Sequence, residues 1–273
     1  MNDPAYHFGF TKDGALFGWC AVLGGKPIVR CDVVDKNGKV TSKQRDDDED
    51  DPKKKKPVTD LVPNADFVTI DTDVKDWNEI KPPPLKGSWS FTDITLDVAR
   101  VGGGVDAKSP AIVKLGGAVG SEEPVYPITL TSPSTAGPPH FAVMNGLALA
   151  PDGTELGIVA HFFCGEYCDT FATKRIALKA LAALVYNDTG YRFHQKRDFS
   201  RAADLFQKAA HADPEAKLPA YNLACAYARL KDPRTKDALA DAIKRDPGAK
   251  ARAKTDKDFD NVRAEAWFSE LIR

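Results

Sequence analysis

Long apolar runs are missing from this sequence. None reaches the roughly 18 residues that a membrane-crossing helix needs, so the reading contains no membrane span. Histidine is scarce: His7, His140, His161, His194 and His211 are scattered along the 273 residues. No serine stands in a Gly-x-Ser-x-Gly elbow, and spacing assembles no nucleophilic triad. A basic stripe interleaved with aromatics is also absent. The charges of the C-terminal third alternate in sign as on a solvated face, which argues against a nucleic-acid partner. Met1-Asn2-Asp3-Pro4 leads straight into a strand pattern, so the expected leader is either absent or already trimmed.

What is present suffices for one large or two ordinary domains. The net charge of −1 hides an asymmetry. Residues 171–273 hold 21 Lys and Arg against 14 Asp and Glu, a balance of +7, which leaves −8 on residues 1–170. An acidic front and a basic back predict a boundary near residue 170.

Residues 1–170 read as β. Lys12-Asp13-Gly14 is a tight-turn signal between two strand patterns, and Asp35-Lys36-Asn37-Gly38 is another. Residues 42–60 form a charged insertion, acidic over 46–51 and basic over 53–56, that can bury nothing and reads as a disordered loop. Lys81-Pro82-Pro83-Pro84 reads as a polyproline connector. Trp89, Phe91, Ile94, Leu96 and Val98 predict a strand, with a β-bulge at Thr92-Asp93 where the apolar parity flips. The nearly all-apolar stretch 156–164 predicts a central strand covered on both faces. The segments Phe10-Thr-Lys-Asp-Gly-Ala-Leu-Phe-Gly18 and Leu149-Ala-Pro-Asp-Gly-Thr-Glu-Leu-Gly157 echo one another. Two such echoes are too few for a propeller, so a sandwich or open barrel with its first and last strands close together is expected.

Two stretches tempt a chemical reading. Gly102-Gly-Gly-Val-Asp-Ala-Lys-Ser109 looks like a phosphate-binding loop, but Pro110 and a strand follow where a helix would have to begin. His161, Cys164 and Cys168 offer metal ligands in number short of a closed site. No metal, cofactor or catalytic residue is assigned.

The cysteines leave alternatives open. Cys20 and Cys31 flank a hairpin turn and can face each other across two strands; Cys164 and Cys168 bracket Gly165-Glu166-Tyr167; Cys225 is unpaired. Even pairing suits two disulfides in a periplasmic or extracellular setting. Reduced thiols in a cytoplasmic protein, or a metal site, are the alternatives.

The last hundred residues are the most patterned. Laid on residues 183–216, a repeat falls on Tyr186, Gly190, Phe193, Ala202, Phe206, Ala209 and Pro214. On residues 217–250 it returns as Leu223, Ala224, Tyr227, Leu239, Ala242 and Pro247, and the two prolines are 33 residues apart. Small residues stand where two antiparallel helices approach, large ones fill the space beside them, and proline ends the second helix. Residues 175–272 resemble the tetratricopeptide repeat family, whose period is about 34 residues. Residues 175–185 would lengthen the first helix. Phe259, Val262, Trp267, Phe268, Leu271 and Ile272 would form a capping helix with Asp258 at its N-cap.

The resemblance implies a protein-binding scaffold, with a protein or peptide held against the inner face of each first helix. By position that face carries Asn187, Tyr191, His194, Gln195, Tyr221, Asn222 and Arg229. The expected fold is therefore α+β multidomain. Residues 1–170 form an all-β sandwich or open barrel, and residues 171–273 form tetratricopeptide-type helical repeats with a capping helix. The expected function is a non-enzymatic interaction or assembly module. A small-ligand or carbohydrate receptor working through the β domain is the alternative, and a metal-dependent enzyme the third reading.

Overall fold

The computed structural model describes residues 6–23, 28–46, 58–70, 90–102, 110–133, 141–163 and 170–273. The chain divides into two compact units that interleave in sequence. The first comprises Met1–Ser90, Val98–Lys114 and Ile128–Leu178, and the second Phe91–Asp97, Leu115–Pro127 and Lys179–Arg273.

Strands dominate the first two thirds. They are β1 (Tyr6–Phe10), β2 (Leu16–Leu23), β3 (Ile28–Asp35), β4 (Val40–Asp46), β5 (Val68–Ile70), β6 (Ile94–Val101), β7 (Ile112–Val119), β8 (Val125–Leu130), β9 (Phe141–Leu149), β10 (Glu155–Phe163) and β11 (Thr170–Ala177). They form three small antiparallel sheets, ordered β4-β3-β2-β1-β5, β11-β10-β9 and β6-β7-β8. This corrects the expected sandwich or open barrel. The strands are split among separate sheets, and parts of β6, β7 and β8 belong to the helical unit. The coarser division stands, with strands first and helices last.

Within the first unit, an aromatic cluster of Phe8, Phe10, Phe17, Trp19 and Phe171 supplies the core. Strand β10 is central in its sheet, and Leu156, Ile158, Val159, Ala160 and Phe162 along it are all buried. The echoed segments form two matching turns. Gly14 and Gly153 have φ of 67° and 68°, each donates its N–H back to the residue three earlier at 2.8 Å, and a preceding aspartate caps each turn. Hydrogen bonds from Thr11 and Thr154 hold the Asp13 and Asp152 carboxyls below their usual range. Arg175 on β11 bridges the two segments, pairing with Glu155 and donating to the carbonyls of Gly14 and Ala15 at 2.9 and 2.7 Å.

Further expectations change. The bulge expected at Thr92-Asp93 is a turn closed by Ile94 N–H on the Phe91 carbonyl (3.0 Å), and the strand starts only at Ile94. The apolar parity flips there because 90–93 are not strand. A register shift does occur between Val159 and Ala160. Arg175, Ile176 and Ala177 are the last residues of β11, where the Arg175 side chain pairs with Glu155, so the first helix begins later than its apolar spacing predicts. The glycine-rich stretch 103–109, the polyproline connector and residues 47–57 of the charged insertion lie outside the described residues, but the rest of the insertion is ordered: 42–46 belong to β4, paired with β3, and 58–60 to a 3-10 turn.

Helices follow: α1 (Leu178–Gln195), α2 (Phe199–Ala212), α3 (Lys217–Leu230), α4 (Thr235–Arg245), α5 (Ala249–Thr255) and α6 (Ala266–Ile272). Helices α2 and α4 each stop before an Asp-Pro pair, with Asp213 and Asp246 as C-caps. Gly190 on α1 lies so close to α2 that a Cβ there would stand 3.0 Å from the Phe206 ring and 3.2 Å from Leu205 Cβ. Ala224, Leu239, Ala242, Phe259 and Phe268 are fully buried in one cluster. The single closing helix is also corrected. The chain makes α5, a 3-10 turn (Lys257–Phe259) and then the short α6, and the capping side chain is Asp256, which accepts the N–H of Asp258 at 3.0 Å.

The other end of the helical unit is closed by strand segments far away in sequence. Asp93 accepts Lys208 Nζ at 2.8 Å and the Tyr186 hydroxyl. Arg192 donates to the carbonyls of Glu123 and Pro124, both at 2.9 Å. Burial pushes the Asp93 carboxyl up, but the bonds from Lys208 and Tyr186 outweigh it and hold it below the usual carboxylate range. Burial, and then Asp93, push the Tyr186 phenol well above its ordinary value.

Candidate functional site

The helical period sets Leu184, Asp188, Tyr191 and Gln195 along one stripe of α1. One repeat period later the corresponding positions on α3 are Leu218, Asn222, Cys225 and Arg229. Three large side chains in these stripes stay in solvent: Leu184, Tyr191 and Leu218 are 36, 50 and 49% exposed. The rest of each helix is spent on the core, as the burial of Leu181, Val185, Ala220 and Ala224 shows.

The seven residues singled out from the repeat separate into three groups. Asn187 and Asn222 bond each other, Nδ2 of Asn222 donating to Oδ1 of Asn187 at 2.9 Å. Asn187 is buried, and its own Nδ2 donates to Asp188 at 3.2 Å. Tyr191 and Gln195 are exposed, and the Tyr191 ring lies parallel to that of His194 with centroids 6.4 Å apart. Tyr221, His194 and Arg229 are taken by the turn after α5. The Tyr221 hydroxyl donates to Asp256 at 2.9 Å, His194 Nε2 stands 3.0 Å from Asp258 Oδ2, and Arg229 stands 3.4 Å from Asp258 Oδ1. Tyr221 is also covered by Arg252, 4.6 Å from its ring, and is itself buried.

Cys225 Sγ and the carboxyl oxygens of Asp256 and Asp258 lie within 4.8 Å of one another. The protein already uses these acceptors: Asp256 takes Tyr221, the Cys225 thiol at 3.8 Å and a backbone N–H, while Asp258 faces Arg229 and His194. Burial first, then the two carboxylates, push the Cys225 thiol well up, so it stays protonated and unreactive. Burial likewise raises the Tyr221 phenol, with Cys225 and Asp256 adding to it. This cluster fastens the end of the chain to α1 and α3.

Sequence reasoning passed over Asp188, Leu184 and Leu218, and noticed Asp256 only as part of an Asp-x-Asp-Phe pattern, without its contact to Tyr221. The signals were present: both leucines sit at the same repeat position, and Asp-x-Asp follows a short helix. Asp188 is half-buried and, among the described residues, makes no ion pair. Its carboxyl is raised by burial, against the opposing pull of Asn187 and Arg192.

Of the predicted cysteine pairs, Cys20–Cys31 is a disulfide. The two residues face each other in the register of β2 and β3 and are fully buried beside Val33 and Val62. Cys164 and Cys168 lie outside the described residues. His161, weighed above as a metal ligand, is buried on β10 with its ring stacked on Phe171 at 4.2 Å. In the first unit, a cavity of about 660 Å³ is lined by Phe8, Phe10, Asp66, Ser90, Leu149 and Asp152. No helix among the described residues is long and apolar enough to cross a membrane.

Comparison with family models, curated proteins and solved structures gave no match.

Proposed function

We propose that this protein is a non-enzymatic interaction module that holds an extended protein or peptide segment across the paired stripes of α1 and α3. The observation that carries the reading is the exposure of Leu184 and Leu218 at matched positions of two helices, with Tyr191 exposed two turns further along α1. Isolated exposed leucines need no explanation, but aligned ones beside an open aromatic ring suit a binding surface. The repeat pattern, with its resemblance to tetratricopeptide scaffolds, supports the same reading. The Asn187–Asn222 bond and the engagement of Arg229 with Asp258 leave no free basic clamp for a terminal carboxylate on these residues. The buried Cys20–Cys31 bond supports an exported, periplasmic or cell-surface setting. The test is a displayed library of random peptides panned on the full chain. Selected peptides should bind about tenfold more weakly to Tyr191→Ala and Leu218→Glu; recovery of none, or of peptides indifferent to both changes, sinks the proposal.

The cavity of the first unit favours a second reading, a receptor for a small polar ligand or carbohydrate. Melting curves of the full chain over a panel of sugars decide it. A rise that Asp152→Ala abolishes supports the receptor, and flat curves remove it.

A further inference from the structure

We infer that the segment held on α1 and α3 is basic: an extended peptide that places an arginine or lysine on Asp188 and a neighbouring aliphatic side chain over Leu184 and Leu218. The inference rests on the groove reading above and adds the chemistry of the occupant.

Charge complementarity carries it. Asp188 sits mid-stripe, one turn after Leu184 and one before Tyr191, half-buried, and among the described residues no ion pair reaches it. The nearest candidate on its own helix, Arg192, is spent on the Glu123 and Pro124 carbonyls. Arg229 and His194 face Asp258. Lys179, at the start of α1, pairs with Asp213 and Glu215, and Lys208 with Asp93. These cations are thus committed elsewhere, while Asp188 is left half-buried with the Asn187 amide as its hydrogen-bond partner and Arg192 acting on it only at a distance. Burial holding the Asp188 carboxyl above its usual range is the electrostatic cost that an incoming cation would relieve. Tyr191 offers a half-exposed ring one turn away, suited to a guanidinium or ammonium. A carboxylate-bearing partner would meet a like charge at Asp188.

The test uses fluorescein-labelled nonapeptides of serine and leucine that differ only in a central Arg, Gln or Glu, titrated by anisotropy against the full chain. The Arg peptide should bind about tenfold tighter than the Gln peptide, and the Glu peptide most weakly. Asp188→Asn should erase the Arg-over-Gln difference while leaving Gln-peptide affinity in place, and Asp188→Glu should restore part of it. Melting curves check that each variant folds, and the salt dependence of Arg-peptide binding to the unaltered protein gives a readout free of mutation. Equal binding of Arg and Gln peptides, tightest binding of Glu, or a preference for Arg that survives Asp188→Asn overturns the inference. In those cases continued sensitivity to Tyr191→Ala leaves the groove reading standing. Failure of all three peptides to bind overturns the groove and the inference together.

Discussion

A small residue set against an aromatic ring occurs in both units of this protein, with different tolerances. In the strand-rich unit, a Cβ on Gly157 would stand 2.3 Å from the Phe17 ring, and one on Gly146 would stand 2.3 Å from Phe8. Phe8 and Phe17 are almost wholly buried and cannot withdraw. In the helical unit the matching contact, Gly190 against Phe206, is 3.0 Å. A ring laid flat on a facing strand leaves no volume for a methyl group. Two helices leave slightly more, and there alanine also brings its better helix propensity.

The largest effect is expected where the helical unit closes locally. Phe259 is fully buried among Tyr221, Ala224 and Phe268. Phe259→Ala should cost about 3–5 kcal/mol by denaturant unfolding, through lost burial and the cavity left behind. A loss under about 1 kcal/mol would show that the closing turn is no part of that unit's core.

Next comes the covalent staple of the strand-rich unit. Cys20 and Cys31 are separated by 11 residues, and a loop of that size constrains the unfolded chain by roughly 3 kcal/mol. The Cys20→Ser, Cys31→Ser double variant should lose stability of that order. Unaltered protein melted in reductant should move the same way once its buried sulfurs are reached.

The glycine contrast itself gives the third test. Gly157→Ala should destabilise by about 1–3 kcal/mol. Gly190→Ala should stay within about 1 kcal/mol of the original protein, because crowding and helix propensity oppose each other. Equal losses at the two sites would end the comparison.

The smallest effect is electrostatic. The Asp93 carboxyl, held below its ordinary value of 3.8, contributes stability that is complete above that value and is lost as pH falls through its depressed folded value. Asp93→Asn should therefore flatten the stability–pH curve in that acid range. An unchanged acid slope would show that Lys208 and Tyr186 bind Asp93 too weakly to matter.

Local pattern explains most of what could be read in advance of the fold. Apolar spacing and Asp-Pro stops located the ends of α2 and α4, the Asp-Gly turns were evident at Gly14 and Gly153, and the hairpin placed Cys20 opposite Cys31. Misreadings cluster at junctions. Arg175 and Ile176 have helical spacing but pair in β11, because strand pairing with β10 outweighs a weak local preference. The exposure of the proposed face was only partly legible. Repeat positions pointed to Tyr191, Gln195 and Asn222, yet nothing local reveals that Asp256 and Asp258 reach back to Tyr221, His194 and Arg229.

The amino-acid order alone located most helices and many strands, since these depend on spacing over a few residues and on caps, glycines and prolines beside them, whereas boundaries such as the end of β11 were set by pairing. Tertiary structure decided how the strands divide into three sheets, that Phe91–Asp97 and Leu115–Pro127 join the helical unit, and which polar side chains on α1 and α3 remain open. Those outcomes rest on contacts between residues far apart in the chain, such as Tyr186 with Asp93 and Tyr221 with Asp256. Closing such long loops has a cost that only the assembled core repays, so no short window of sequence contains the answer.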